Sequence, residues 1–355
     1  MKRQNHLFEL IIEYQNIRLA FIKAIRGKRN STSVLLFCRN IDKNLAKIRK
    51  RLETLNPNWG HYRSFTITDP KERIISAAPL EERIMHHAIM NILEPIFERQ
   101  LIFHTYACRK GKGTHVAVLY AFRHCKSSSY FLKLDVRKYF DSIDHIVLKQ
   151  QIFRLIKDTR TLFLLVGIID SYHTDSGKGL PIGNLTSQFF ANLYLSSLDH
   201  YILEVLKPAG YVRYMDDFVL WGSCTGELQT MLNQIELFTT ENLKLTLKTP
   251  VLGKTTQGLP FLGFLIKARG IYLLRTSKSR MRKRVKTIQT ELSIGKIDEL
   301  KAAQRANSIN AAVLLARTQK FRATLWNGSG FGPRQVSGEN RLQRGGSWNM
   351  QSEPA

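Results

Sequence analysis

The sequence predicts an α+β fold, and three observations carry that expectation. Two apolar runs of strand length, 130–135 and 211–221, each reach an aspartate. Stretches before, between and after them place apolar residues at helical spacing. The chain, at 355 residues, is long enough to bury a sizeable core in one large or two to three small domains.

Taken in order, residues 5–25 set Phe8, Ile11, Ile12, Leu19 and Ile22 near helical spacing, which predicts an amphipathic helix. Arg26 to Ser33 interrupts it with turn formers and charge. A second helix is expected over 33–55, with Leu45, Ile48, Leu52 and Leu55 on one face. Thr66 to Ile75 reads as strand or hairpin, with Asp69-Pro70 at the turn. Leu80 to Phe97 is helical, and Glu81 and Glu82 suit the positive end of its dipole. Residues 130–135 form a strand ending on a carboxylate, followed by a helix over 144–155. Gly177, Gly179 and Pro181 mark a loop before a long helix at 185–206. Residues 211–221 read as strand, turn, strand, then a helix at 228–242, a strand at 243–248, and a hairpin over 260–274 around Ala268-Arg269-Gly270. From Ser277 the chain is helical and very basic, and 326–355 is rich in Gly, Ser, Asn and Arg, which predicts disorder.

Lys and Arg number 54 against 28 Asp and Glu, a formal net charge of +26. Such an excess attracts polyanions, nucleic acid first. The cysteines at 38, 108, 125 and 224 form no CxxC pair, and no histidine cluster has zinc-ligand spacing. That predicts a reducing cytoplasm. Glu9, Glu13, Gln15, Asn16, Arg18 and Lys23 interrupt the apolar stretch 7–25, which argues against a signal peptide or a membrane span.

The chemistry-bearing residues are acidic. Leu132-Lys-Leu-Asp135 ends in an aspartate among apolar neighbours, and Asp216-Asp217 sits between Tyr214-Met215 and Phe218-Val219. A lone Asp-Asp pair also fits a solvated turn. Between apolar flanks, adjacent like charges need a neutralising cation. A pair of Mg²⁺ ions about 3.5–4 Å apart meets that need and serves phosphoryl transfer. Magnesium prefers carboxylate oxygens and water.

These residues resemble a known family. Tyr214-Met-Asp-Asp217 resembles the signature of reverse transcriptases, and Leu134-Asp-Val-Arg-Lys-Tyr-Phe-Asp-Ser-Ile-Asp144 their first palm motif. Leu180-Pro-Ile-Gly-Asn-Leu-Thr-Ser-Gln188 is similar to their nucleotide-and-template motif, and Phe261-Leu-Gly-Phe264 to their primer grip. Arg73-Ile-Ile-Ser76 and Thr105-Tyr-Ala-Cys-Arg-Lys-Gly-Lys-Gly-Thr-His115 resemble finger motifs. Ile182 replaces the usual glutamine, and the ending Thr-Ser-Gln188 resembles the reverse transcriptases of diversity-generating retroelements in phages and bacteria.

The resemblance implies a right-hand polymerase fold with an antiparallel palm sheet backed by helices. Its expected parts are an N-terminal helical extension at 1–60, fingers at 61–130, a palm at 131–268 with a finger insertion near 146–184, a thumb at 269–325 and a disordered tail at 326–355. It implies that Asp135, Asp216 and Asp217, with the Val136 carbonyl, hold two Mg²⁺ ions, Mn²⁺ being a substitute. Lys71 and Arg73 are expected on the triphosphate, and Phe140 beneath the sugar, excluding a 2′-hydroxyl. Ile182 and Gly183 are expected against the incoming base pair, with Gln188 on nucleotide or template. Phe140 equally fits a core ring, and Ile182 plain loop packing. Phe261, Leu262, Gly263 and Phe264 are expected at the primer. Arg109 and the basic helix bearing Lys278, Arg280, Arg282, Lys283 and Arg284 are expected on the nucleic-acid backbone, although a solvated helix face reads the same.

The implied function is error-prone, adenine-mutagenic cDNA synthesis from a template-repeat RNA, in a bacterial or phage-infected cell. The implied partners are that RNA, the cDNA/RNA duplex, dNTPs and a small basic helical accessory variability protein, without a membrane. A retron or group II intron-like reverse transcriptase is the alternative. A non-catalytic RNA-binding protein on the same fold would dispense with the carboxylates, and this chain has all three. Asn340-Arg-Leu-Gln-Arg-Gly-Gly-Ser-Trp-Asn349 resembles a segment of the lectin-like proteins such retroelements diversify. The tail therefore reads either as continuation into repeat-like DNA or as a basic RNA-binding tail.

Overall fold

The computed structural model describes residues 3–68 and 72–326. The chain divides into two compact units, one up to Gly270 and one from Ile271 onward.

The first unit is built on a four-stranded antiparallel sheet. Its strands are β3 (Tyr130–Asp135), β4 (Gly210–Tyr214), β5 (Asp217–Gly222) and β6 (Val251–Lys254), in the order β4-β5-β3-β6. A hairpin earlier in the chain pairs β1 (Arg63–Ile67) with β2 (Arg73–Ala77), and a later one pairs β7 (Leu259–Phe261) with β8 (Phe264–Lys267). A last strand, β9 (Gly270–Leu273), straddles the boundary of the units. In β5, Phe218 to Trp221 are all fully buried, so the sheet is covered on both faces.

The Thr225–Leu243 helix packs on β5 and β3, and the Thr114–Ser127 helix on β4. The N-terminal helices Phe8–Ile12 and Tyr14–Ala24 bury Phe8, Ile11, Ile17 and Ala20 against the long Leu80–Glu98 helix. The extreme N-terminus is held by a distant segment. Gln4 exchanges backbone bonds with Leu155 and Lys157 at 2.8 and 2.7 Å, and the Asp158 carboxylate accepts the N–H groups of Leu7 and Phe8 at 2.8 and 2.9 Å. Asp158 also caps the Thr159–Asp170 helix by accepting from the Thr161 N–H.

Several expected elements are divided. The helix expected at 33–55 breaks at Arg39-Asn40 into Thr32–Cys38 and Ile41–Glu53, because the Asn44 side chain takes the Phe37 carbonyl at 2.9 Å. The helix expected at 185–206 becomes Leu185–Tyr194, Ser196–Tyr201 and a π turn at Ile202–Leu206, with Ser196 Oγ donating to the Leu193 carbonyl. No regular strand forms at 243–248. Lys244 ends the preceding helix in a left-handed conformation, and residues 246–248 run beside the end of β3 with only an isolated bridge, Val136 to Leu247. The strand begins at Val251.

The second unit contains the helices Arg275–Ser293, Glu299–Ala311 and Gln319–Trp326 around a small core of Val285, Ile288, Ala302, Ala306, Ile309 and Trp326. The tail reading falls on residues beyond Trp326, outside the described ones. Among the described residues no helix is long and apolar enough to cross a membrane.

Candidate active site

Antiparallel pairing brings the acids together. Asp135, last in β3, is the register partner of Asp217, first in β5. Tyr214 pairs with Asp217 across β4 and β5, which leaves Met215 and Asp216 as a two-residue turn. Met215 has φ +59 and Asp216 a negative φ, the sign pattern of a type II′ turn, whose first central position normally falls to glycine. A side chain there costs of order 1–3 kcal/mol, so the turn needs outside support. The Val136 N–H donates to the Asp216 carbonyl at 3.2 Å and ties the turn to β3.

Burial makes Asp216 and Asp217 reluctant to ionise. It pushes Asp217 up to about 7, against the pull of Lys133, with Asp135 and Asp216 adding repulsion. Burial and then Asp135 raise Asp216, while Lys248 and Arg73 draw it back. Two lysines act as counter-ions. Lys248 Nζ lies 2.5 Å from Asp135 Oδ1, and Lys133 Nζ 3.3 Å from Asp217 Oδ2. Asp217 Oδ1 is buried without a hydrogen-bond partner. Among the described residues no three His, Cys, Asp or Glu side chains are drawn around one point. The donor set nonetheless suits a hard divalent cation: three carboxylates, one with an unpartnered oxygen, facing Lys133, Lys248 and Arg73. Asp135, Asp216 and Asp217 are the residues that could hold such ions.

The 180–184 segment is tied to its neighbours largely through backbone groups. The Leu180 N–H donates to the Phe140 carbonyl at 2.8 Å, and the Ser76 N–H of β2 to the Ile182 carbonyl at 2.9 Å. Asn184 Oδ1 accepts the Ala78 N–H at 3.3 Å. The loop is thus held by the Phe140 turn on one side and by the strand bearing Arg73 on the other. Gly183 has φ +109, and a Cβ there would lie 2.7 Å from Ile75 Cγ2. Arg73 is exposed, and its charge reaches Asp216. Phe140 is half-buried, edge-on to Tyr139 at 5.8 Å. Gln188 is half-buried in the first turn of its helix. Lys71 lies outside the described residues.

Two expectations need correction. Arg109 is not free for a nucleic-acid backbone. Its guanidinium donates to Glu98 at 2.7 Å and to the Ile102 and Thr105 carbonyls at 2.6 and 2.9 Å, and its side chain is only 9% exposed. In the primer-grip segment, Phe261 and Phe264 are core rings. Leu262 and Gly263, both at positive φ in the tight β7–β8 turn, are half-buried. In the second unit Arg282, Lys283 and Arg284 are exposed, whereas Lys278 and Arg280 are half-buried. Lys278 and Arg282 flank the Phe321 ring.

Sequence reasoning missed the layer beneath the site. Arg213 and Asp199 are both 0% exposed and pair through two bonds of 2.7 and 2.6 Å. Tyr211 donates to the same carboxylate at 2.7 Å. The available signal was an arginine inside an otherwise apolar strand run, Gly210-Tyr-Val-Arg-Tyr214. Lys133 and Lys248 were also missed as counter-ions.

Comparison with known proteins agrees with this geometry. Residues 67–266 match the family described as reverse transcriptase (RNA-dependent DNA polymerase). Protein YkfC of Escherichia coli is 28% identical over 194 residues, 42% of this chain and 50% of its own length. The putative COX1/OXI3 intron 2 protein of Saccharomyces cerevisiae is 21% identical over 341 residues, 75% of this chain and 38% of its own. The group II intron-encoded protein LtrA of Lactococcus lactis is 28% identical over 142 residues, 38% and 24%. The chain spans half or less of the length of these relatives. Among solved structures, apo telomerase from Candida tropicalis superposes with a TM-score of 0.48 at 12% identity, over 75% of this chain and 59% of that one, and adds nothing to the assignment. More than half of the sequence lies within the family's bounds, the fold is of the α+β right-hand polymerase class, and the chain belongs to the reverse transcriptase family.

Proposed function

We propose that this chain synthesises DNA on an RNA template by nucleotidyl transfer at Asp135, Asp216 and Asp217. The observation that carries the reading is the register of Asp135 opposite Asp217, with Asp216 in the adjoining turn. Two divalent ions, Mg²⁺ by preference, supply activation of the primer 3′-hydroxyl and neutralisation of the triphosphate. The chain's own groups position the reactants. Arg73 takes phosphate oxygens, Phe140 excludes a 2′-hydroxyl by bulk, and the loop 180–184 backs the nascent base pair. The Leu262-Gly263 turn meets the primer, and the exposed cations of 282–284 meet the duplex backbone. Purified chain with primer, RNA template and Mg²⁺ is expected to extend the primer, and Asp216→Asn to abolish extension. Extension at the wild-type rate by that variant would end this reading.

Two lineages compete. The intron-encoded relatives support a group II intron-like enzyme. The error-prone retroelement reading, with its template-repeat RNA and basic accessory protein, rests on the motif around Ile182, whose side chain cannot hydrogen-bond a base as a glutamine can. Sequencing cDNA made from the RNA adjacent to the gene, with and without the neighbouring small protein, separates them. Errors concentrated opposite adenine, reduced by Ile182→Gln, support the second lineage. An even error spectrum leaves the first.

A further inference from the structure

We propose that Arg213 is a positioning residue that holds the Met215–Asp216 turn, and with it the catalytic aspartates, from beneath the sheet. The turn adopts a backbone that Met215 disfavours, and among the described residues one side chain grips its carbonyl. Arg213 Nη1 donates to Met215 O at 3.0 Å. The same guanidinium is fixed on every other side. Its Nε and Nη2 bind Asp199 at 2.7 and 2.6 Å, and Nη1 and Nη2 reach Asn192 Oδ1 and O at 3.3 and 3.2 Å. A planar fork with several aligned donors can do this, and a lysine ammonium cannot.

The strand end is anchored on its other edge too. The Arg213 N–H donates to the His104 carbonyl at 3.0 Å, and the Arg213 carbonyl accepts the Tyr106 N–H at 2.9 Å. Asn192 Nδ2 donates to the Ala107 carbonyl at 2.9 Å. Arg109 closes the segment carrying those groups on itself and on Glu98. The finger motif at 105–109 and the helices bearing Asn192 and Asp199 therefore form one clasp around the strand that enters the turn. A buried ion pair can often be replaced by apolar residues at no loss, whereas a geometric role requires these donors at these angles.

The proposal rests on the polymerase reading, and its test separates the two. Arg213→Lys keeps the charge and loses the fork. Its expected effect is a fall in kcat of about 10–100-fold with the KM for dNTP within about twofold, and weaker Mn²⁺ binding by electron paramagnetic titration without substrate. In the metal-free chain, hydrogen exchange at residues 214–218 should quicken. Asn192→Ala removes one arm of the clasp and should change the same readouts in the same direction by less. It decides the matter if Arg213→Lys does not fold. A folded variant with wild-type kcat, Mn²⁺ affinity and exchange overturns the proposal. A wild-type chain inactive on primer and template would instead fault the polymerase reading, leaving metal binding and exchange to judge the clasp.

Discussion

Gly183→Ala tests whether the nucleotide loop works by being docked on β2. Two penalties can be read from the structure. Alanine at φ +109 costs about 1–3 kcal/mol in the backbone. Its Cβ would also lie 2.7 Å from Ile75 Cγ2, and relieving that overlap costs about another 1–3 kcal/mol. The docking interactions that resist are few: one backbone bond from Ser76 to Ile182, a longer one from Ala78 to Asn184, and the Ile75 packing. Each bond contributes about 0.5–1.5 kcal/mol net, so the loop is expected to lift before the protein unfolds. A net loss of about 2 kcal/mol lowers kcat/KM for dNTP roughly 30-fold, in single-nucleotide extension, while the melting temperature stays within a few degrees. Adding Ile75→Ala removes the overlap and leaves the torsional penalty, so the double variant should regain part of the loss. A Gly183→Ala enzyme with kcat/KM within about twofold of wild type refutes the reasoning.

Other expectations concern charge. Burial holds Asp217 up to about 7, above its unfolded value, so the metal-free chain should lose stability as pH rises from about 4 to about 7, by at most about 4 kcal/mol. Asp217→Asn should flatten that slope in thermal melts while abolishing extension; an unchanged slope contradicts the assignment. His86 has the opposite sign. Burial, then His87, lowers it to about 3, so it is buried neutral and its stabilising effect is lost as pH falls from about 6.5 towards 3. Its Nε2 lacks a hydrogen-bond partner and stands 3.7 Å from Glu82, whose carboxyl burial raises, and with the imidazole neutral the two do not form an ion pair. His86→Met should remove about 2 kcal/mol of acid sensitivity between pH 7 and pH 5 in urea titrations. In the second unit, Lys283→Ala with Lys286→Ala should make the dependence of duplex affinity on salt shallower, by about 0.9 in log–log slope for each phosphate left without its cation. An unchanged slope means that this face is only solvated.

The strands bearing the acids were legible because apolar flanks and turn chemistry are local signals. Asp135 and Asp216-Asp217 stand out for the same reason. The broken helices were not legible. The interruption at Arg39-Asn40 depends on Asn44 reaching back to Phe37, and the one near Leu195 on Ser196 and a π turn, all small departures within helix-compatible sequence. Arg109 misled because an exposed arginine on a primer backbone and a buried one on Glu98 have the same letter and similar neighbours. Arg213 was overlooked because its partners, Asp199 and Asn192, belong to helices whose facing direction only the tertiary fold determines. The backbone bonds that dock the loop 180–184 could not be read at all, since main-chain groups carry no sequence signature.

The grip of residues 155–158 on the first eight has a consequence for how the protein is made. Gln4, Leu7 and Phe8 bind partners about 150 positions downstream. At about 5–20 residues per second, a ribosome needs roughly eight to thirty seconds to deliver those partners. Through that interval the leading helix can settle its apolar face on the Leu80–Glu98 helix, but its backbone groups at Gln4, Leu7 and Phe8 wait for their native partners. Docking of residues 4–8 on 155–158 is therefore a late step, taken after the helices beneath it have packed.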